Sequence, residues 1–487
     1  MYYVLRQQPP VGSATSVAAW ESAFCNAIAD YMSSVVAVAN PTKGVYVSCD
    51  GVVCAAKRRQ QRLRRFKGPW ASAQEARILR KPVVETWDQN ALTPGSAFMA
   101  LLGARLIEEG NRIRGSKGLD VVVSTTAEAG EGEHKLMRHM RSIRPASCTI
   151  YGLDADLILL AMLLGVDTDT SVHLMREAQE FEKGHHGGEE WRALDVNGLA
   201  ATMIPGLSKG RVRDFVACMT LLGNDFLPRS LTRTVRDDGI QSLLSTLASS
   251  VWSLNRSIVT ESGQVRREGL LAVISAWADS ESADMRNACI EAAKVARRPT
   301  GIADSPEETE LRAWNAQPAQ WASVTRLLSS SQKELRLGWN YLYDRWHPGS
   351  PSDYIEGVAW VWDYYSGRPV DQAWFFESHL PPLWSSLRGF LTGLRGDTVQ
   401  APRIDTPEPL PEWLHLLAVL PAESVLRLLP ADKRRLMYDK PHFWPASWSL
   451  FDVGRTQLWE CEPVLPMIPE PILRNYIKMT GSAKSLA

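Results

Sequence analysis

Six carboxylates stand just beyond apolar runs. Asp50 follows GVYVSC, Glu131 and Glu133 follow LDVVVS after a turn, Asp154 and Asp156 close CTIYGL, and Asp225 lies in LLGNDFLP. Each alone has an ordinary use: Asp154 or Asp156 as a helix N-cap, Glu131 and Glu133 as complements to a helix dipole, Asp225 in an Asn-Asp turn. Gathered in one place they conflict, because like charges repel strongly where the dielectric is low and burial drives them to take up protons. A divalent cation removes that conflict. Oxygen ligands without Cys or His suit hard ions, magnesium (Mg2+) or manganese (Mn2+), and several carboxylates can hold two of them. Two such ions roughly 4 Å apart are the usual apparatus for cleaving phosphodiesters, one activating the attacking water and the other stabilising the leaving oxygen.

A basic stretch, KRRQQRLRRFK, occupies residues 57–67, directly after Asp50. On a helix, Lys57, Gln61, Arg64 and Arg65 fall at i, i+4, i+7 and i+8 and share one face. Guanidinium forks bind phosphate oxygens in pairs and a lysine adds a point charge, so this face is a donor surface sized for a phosphate. The ordinary alternatives are a solvated helix or an address signal. Position a few residues after a candidate metal ligand favours the phosphate, and a pocket for a terminal phosphate makes an enzyme act from an end.

The elements that must position these groups read as an α/β core. From about 40 to 225, short apolar runs alternate with stretches of helical period, the signature of a mostly parallel sheet flanked by helices. The expected strands are 44–49, 119–124, 148–153 and 171–175, and the expected helices include 93–114, 155–164 and 214–222, the last ending at Gly223. In an open parallel sheet the carboxyl ends of the strands face one edge, where ligands bind, so the carboxylates are expected to converge. A Gly- and His-rich stretch around 185–210 reads as a loop with a short strand, and DYIEGVAWVWDYYSG from 353 reads as a helix. The expected division is an α/β core over 1–235, a helical connecting region over 236–345 with a polar linker near 300–310, and a helical domain over 346–487.

The whole chain sets looser bounds. Its 487 residues suggest two or three domains, and 54 basic against 54 acidic side chains leave any binding signal local. Seven cysteines without a CxxC pair speak against a disulfide framework or a structural zinc site and fit a reducing compartment. The opening MYYVLRQQPPVGS carries no basic-then-apolar leader, and LILLAMLLGV at 157–166 is about half a membrane span. A soluble intracellular protein, cytoplasmic or nuclear, with no membrane partner is expected. Most of the 18 tryptophans lie after residue 250, which points to a helical region packed with large aromatic side chains.

Several stretches together resemble the XRN family of 5′→3′ exoribonucleases. They are CDGVVCAAKRRQQRLRRF (49–66), NALTPGSAFM (90–99), GEGEHKLM (130–137), YGLDADLILL (151–160) and LLGNDFLP (221–228), followed by YIEGVAWVWDYYSG (354–367), WFFESHLPPL (374–383) and the region 416–430. The resemblance covers nearly the whole chain in consistent order. It implies a PIN/flap-nuclease-like core, two magnesium ions, and hydrolysis of single-stranded RNA bearing a 5′ monophosphate to nucleoside monophosphates. By matching motifs it makes Asp50, Glu131, Glu133, Asp154, Asp156 and Asp225 the metal-site carboxylates and Lys57, Gln61, Arg64 and Arg65 the 5′-phosphate pocket, too small for a cap or triphosphate. The last domain would complete an RNA channel, with Trp374 where the family places an aromatic against a base; a core tryptophan is the other reading of that residue.

Two departures from the family pattern define the alternatives. The family opens with a strand carrying an Asp before Asn-Gly and a nearby His, and MYYVLRQQPPVGS has neither Asp nor His. Where the family has Ala-Pro-Arg-Ala, this chain has Val53, Cys54, Ala55 and Ala56. A catalytically weakened or inactive RNA-binding scaffold is therefore the second reading. A flap-type DNA nuclease is a third, disfavoured by the basic stretch and the match in the second half.

Overall fold

The computed structural model describes residues 16–81, 87–152, 154–178, 190–298 and 301–482. The opening MYYVLRQQPPVGS and residues 185–189 of the expected loop at 185–210 lie outside them; the rest of that stretch holds the expected short strand, Trp191–Asp195, and also a helix, Val196–Met203, which starts because Asp195 accepts from the Gly198 N–H at 3.0 Å. Helix α1 (Val17–Ala39) starts where the Ser16 hydroxyl accepts from the Ala19 N–H and stops where Asn40 turns left-handed at φ 45°. It lies outside the expected elements. Trp20, Phe24 and Ile28, spaced by four, share a face and pack with Phe98, Leu102 and Leu106. Among the described residues, α1 is the one helix long and apolar enough to cross a membrane by length and composition.

The candidate residues hang on the elements that follow: β1 (Gly44–Ser48), α2 (Ala55–Ile78), α3 (Ala97–Lys117), β2 (Asp120–Ser124), α4 (Gly132–Ile143), β3 (Ser147–Tyr151), α5 (Asp156–Thr168), β4 (Ser171–Glu177) and β5 (Trp191–Asp195). The four expected strands form, and both β1–β2 and β3–β4 pair in parallel. Among the described residues they do not make one sheet. β1 and β2 stand as a two-stranded sheet, while β3, β4 and β5 form a separate three-stranded one with β5 antiparallel at its edge. Side chains and helices join the two: α4 packs on both β1 and α5, and the Tyr31 ring meets Tyr151 at 6.4 Å. Apolar runs mark strands, whereas which strands exchange ladder bonds depends on partners distant in sequence.

A mainly helical region follows, with α6 (Val196–Met203), α7 (Lys209–Met219), α8 (Gly239–Ser250), α9 (Arg267–Ala296), α10 (Pro306–Asn315), α11 (Pro351–Ser366) and α12 (Trp384–Gly393). α10 begins inside the polar stretch 300–310, because Ser305 caps it, Pro306 fills its first turn and Glu307 and Glu308 face its positive end. The largest core cluster runs from Cys54 to Val399 and holds Trp252, Trp277, Trp360, Trp362 and Trp384. All five of those indoles find a hydrogen-bond acceptor; Trp360 donates to Asp371 O at 3.0 Å and Trp252 to Asp214 at 3.0 Å. The rest of the Asp214 carboxylate, 1% exposed, accepts from the Ile258 and Val259 N–H groups at 2.8 and 2.9 Å. Asp214→Ala strands these three buried donors and is expected to cost about 3 kcal/mol. A thermal melt of the variant that overlays wild type is the contrary result.

Candidate active site

Loops leaving β1 and β2 are tied together before any side chain is considered. Gly51 N donates to Gly130 O, and Gly130 N donates to Val52 O, both at 2.8 Å. Gly51 must be glycine here, since a Cβ would fall 1.9 Å from the Glu128 carbonyl oxygen. Asp50 extends the tie by accepting from Gly132 N at 2.8 Å, and the Ser48 hydroxyl donates to Gly132 O at 2.8 Å. Asp50 thereby sits at the start of α4, next to Glu131 and Glu133.

Glu131 occupies the N-cap position of α4 without capping it. Its carboxylate, 3% exposed, pairs with Lys57 Nζ at 2.5 Å and accepts from the Tyr364 hydroxyl at 2.7 Å. The same ammonium reaches Asp225 at 2.7 Å. Asp225 is free to do so because the turn is held by its neighbour: Asn224 Oδ1 accepts from the Phe226 and Leu227 N–H groups, both at 2.9 Å. Asp156 stands in the first turn of α5, whose N-cap Ala155 offers no side-chain bond, and it accepts from the Tyr365 hydroxyl at 2.9 Å. None of Glu131, Asp156 or Asp225 is spent on a helix cap or turn.

Electrostatic coupling links all six. Glu131 feels Asp50; Glu133 feels Glu131, Asp156 and Asp154; Asp156 feels Asp225 and Asp154. Burial, reinforced by these neighbours, pushes Glu133 up to about 9 and raises Glu131 and Asp156 above the usual carboxylate range. Burial opposes the charge on Lys57, but Glu131 and Asp225 outweigh it and hold the ammonium protonated, above the ordinary lysine value.

Three groups here were not read from the sequence. His134 is forced neutral by burial, its pKa down to about 3, and its Nε2 is buried without a hydrogen-bond partner. Its ring, with Glu131 and Glu133, offers ligand atoms that all lie within 4.8 Å of one another. A neutral imidazole beside carboxylates raised by burial and by one another is a donor set that fits a divalent cation, so the set extends beyond oxygen. Tyr364 and Tyr365 come from α11, across the interface with the helical region; the Tyr-Tyr pair ending that helix was visible, its destination was not.

The four residues expected to bind phosphate are carried by α2, one continuous helix. Lys57 lies between Glu131 and Asp225. Gln61 is buried with Oε1 lacking a hydrogen-bond partner, Arg64 is exposed, and Arg65 Nη2 donates to Leu92 O at 3.3 Å. The adjoining face of α2 is clamped: Arg58 pairs with Glu470, while Arg62 donates to Ala418 O at 2.7 Å and to Phe443 O. Trp374 is half-buried against Trp360 at 4.9 Å, and Trp360 stacks on Tyr364 at 5.1 Å.

Residues 3–178 match the family model described as the XRN 5′-3′ exonuclease N-terminus. Homo sapiens 5′-3′ exoribonuclease 1 is 24% identical over 90% of this chain and 30% of its own length. Saccharomyces cerevisiae 5′-3′ exoribonuclease 2 is 31% identical over 45% of this chain and 27% of its own, and the Gallus gallus 5′-3′ exoribonuclease 2 is 22% identical over 92% and 61%. The chain spans about a third of the length of the first curated relatives it matches.

Proposed function

We infer, for a chain that belongs to the XRN family of 5′-3′ exonucleases, that it hydrolyses single-stranded RNA from a 5′-monophosphate end and releases nucleoside monophosphates. The supporting observation is the coupling of six carboxylates and His134 around Lys57, at the head of the helix that carries Gln61, Arg64 and Arg65. Magnesium, or manganese in its place, held as two ions by Asp50, Glu131, Glu133, Asp154, Asp156 and Asp225, would activate water and neutralise charge on the leaving oxygen.

The chain's own groups supply the rest. Lys57, Gln61, Arg64 and Arg65 grip the terminal phosphate and set the scissile bond one nucleotide inward, which makes the reaction start from the end. Tyr364 and Tyr365 fix the rotamers of Glu131 and Asp156 and shield them from water. Trp374, beside Trp360, stacks the leading base. In this reading 1–235 is a PIN/flap-type nuclease core, 236–345 connects, and 346–487 closes a channel that retains the RNA between turnovers.

One observation favours a second reading, an RNA-binding scaffold without turnover: the Lys57 ammonium already neutralises Glu131 and Asp225. Incubation with magnesium and RNAs ending in 5′ monophosphate, hydroxyl or triphosphate separates the two. Degradation of the monophosphate form alone, stopped by chelation, is expected. Equal binding of all three ends without degradation establishes the scaffold.

A further inference from the structure

Asp225 faces more than the carboxylate cluster. It also lines a cavity of about 350 Å³ in which Lys57 and Glu131 have no part. Four guanidinium groups line the same cavity, Arg59, Arg229, Arg236 and Arg455, against three carboxylates, Asp225, Glu460 and Glu462. Most of this charge is already paired. Arg236 bonds Glu460 at 2.6 Å, Arg229 donates to Gly454 O at 3.2 Å, Arg59 donates to Glu377 O at 3.2 Å, and Glu462 takes His379 at 2.6 Å.

Two donors are left over. The Arg455 side chain has no hydrogen bond or ion pair among the described residues, and its Nε is buried. Asn224 Nδ2 is also buried, with no partner among the described residues. Its orientation follows from the turn: two backbone N–H groups fix Oδ1, so the amide nitrogen is the atom left unmatched. The Asn224 amide nitrogen is closed off from the cavity, so the Arg455 fork, whose charge Glu462 feels without pairing to it, is the donor left along the lining, and a guanidinium fork binds phosphate oxygens in pairs. At the rim, Trp459 is 60% exposed and Arg236 lies 5.0 Å over its ring, a flat surface on which a base can lie.

We propose that this cavity is a second phosphate-binding subsite, across Asp225 from the Lys57 face, which takes a ribonucleotide phosphate on the Arg455 guanidinium. It rests on the reading of the chain as an RNA-acting protein. The phosphate has two sources, a diester of the strand beyond the cleaved bond or the monoester of a released nucleotide.

The test uses the full chain in EDTA, which separates binding from turnover. One arm titrates a 3′-labelled hexaribonucleotide with a 5′ hydroxyl, which leaves the Lys57 face without its terminal phosphate; the other titrates 5′-AMP. Arg455→Ala is expected to weaken binding about tenfold and to make the logarithmic salt dependence shallower by about one. Arg455→Lys keeps much of the affinity. Loss in the oligonucleotide arm places the strand in the cavity, and loss in the 5′-AMP arm alone places the released nucleotide there. Should Arg455→Ala melt below wild type, Arg236→Ala at the solvent edge replaces it, with a smaller loss in the same direction. Unchanged affinity and slope in both arms, with an unchanged melt, overturn the proposal. Wild-type protein that binds through Arg455 yet never degrades RNA leaves the subsite standing and removes the exonuclease reading instead.

Discussion

Asp154→Ala protein is expected to lose degradation of 5′-phosphorylated RNA by about a thousandfold, roughly 4 kcal/mol of barrier, while still binding that RNA. The choice of residue matters. Glu131 is buried against Lys57 and Tyr364, so its loss damages packing as well as chemistry. Asp154 is exposed at the head of α5, where its carbonyl accepts from Leu157 N at 3.3 Å, and its carboxylate accepts no hydrogen bond from the described residues. It couples electrostatically to Glu133 and Asp156, however, and faces the same crevice charge. Removing it therefore leaves the fold alone and subtracts one anionic ligand. Calorimetric titration with manganese provides a second reading: weaker or fewer binding events in the variant, with an unchanged melt. If Asp154→Ala degrades RNA at the wild-type rate, Asp154 is not a ligand and the site is built from the remaining groups.

How much of this was legible depended on distance along the chain. The ends of β1, β2 and β3 were readable because an apolar run that stops at an acidic residue is a local signal; parallel pairing sends the ends of β1 and β2 one way, and the coupling of Glu133 to Asp154 and Asp156 puts the end of β3 near them. The split into two sheets was not, because ladder partners lie outside any local window. α1 carried its own signals, a Ser cap and Trp20, Phe24 and Ile28 at four-residue spacing, and they were passed over rather than absent. The tyrosines were beyond reach for a different reason: Tyr364 is 233 residues from Glu131 and Tyr365 is 209 from Asp156, and only the packing of Trp360 and its neighbours in the core brings α11 there. The residue types of α2 indicated a phosphate surface, yet they could not indicate that Lys57 would spend its charge on two carboxylates.

That double employment of Lys57 gives the other large effect. Lys57→Met removes the cation between Glu131 and Asp225 and leaves a buried carboxylate uncompensated, a change that costs about 3–5 kcal/mol. The penalty should depend on pH with a definite sign. Glu133 has a folded pKa near 9 against an ordinary 4.5, so its contribution to stability is complete below about 4.5 and is lost as pH rises toward 9. Glu131 and Asp156 are raised in the same direction. Metal-free wild type thus loses stability across that interval. In Lys57→Met the loss is larger, because the ammonium that favoured ionised Glu131 has gone. Near pH 5 the carboxyls take up protons and the two proteins approach each other; near pH 8 they separate. Magnesium supplies the missing positive charge and should recover much of the Lys57→Met melting temperature at pH 8 but little at pH 5. RNA turnover should stay depressed about a hundredfold even in saturating magnesium, since the ion replaces the ion pair but not the grip on the terminal phosphate. If magnesium leaves the variant's melt at pH 8 unmoved, the cluster is a salt bridge with no metal role. If it restores melt and turnover together, Lys57 serves the carboxylates alone and the phosphate is held by Gln61, Arg64 and Arg65.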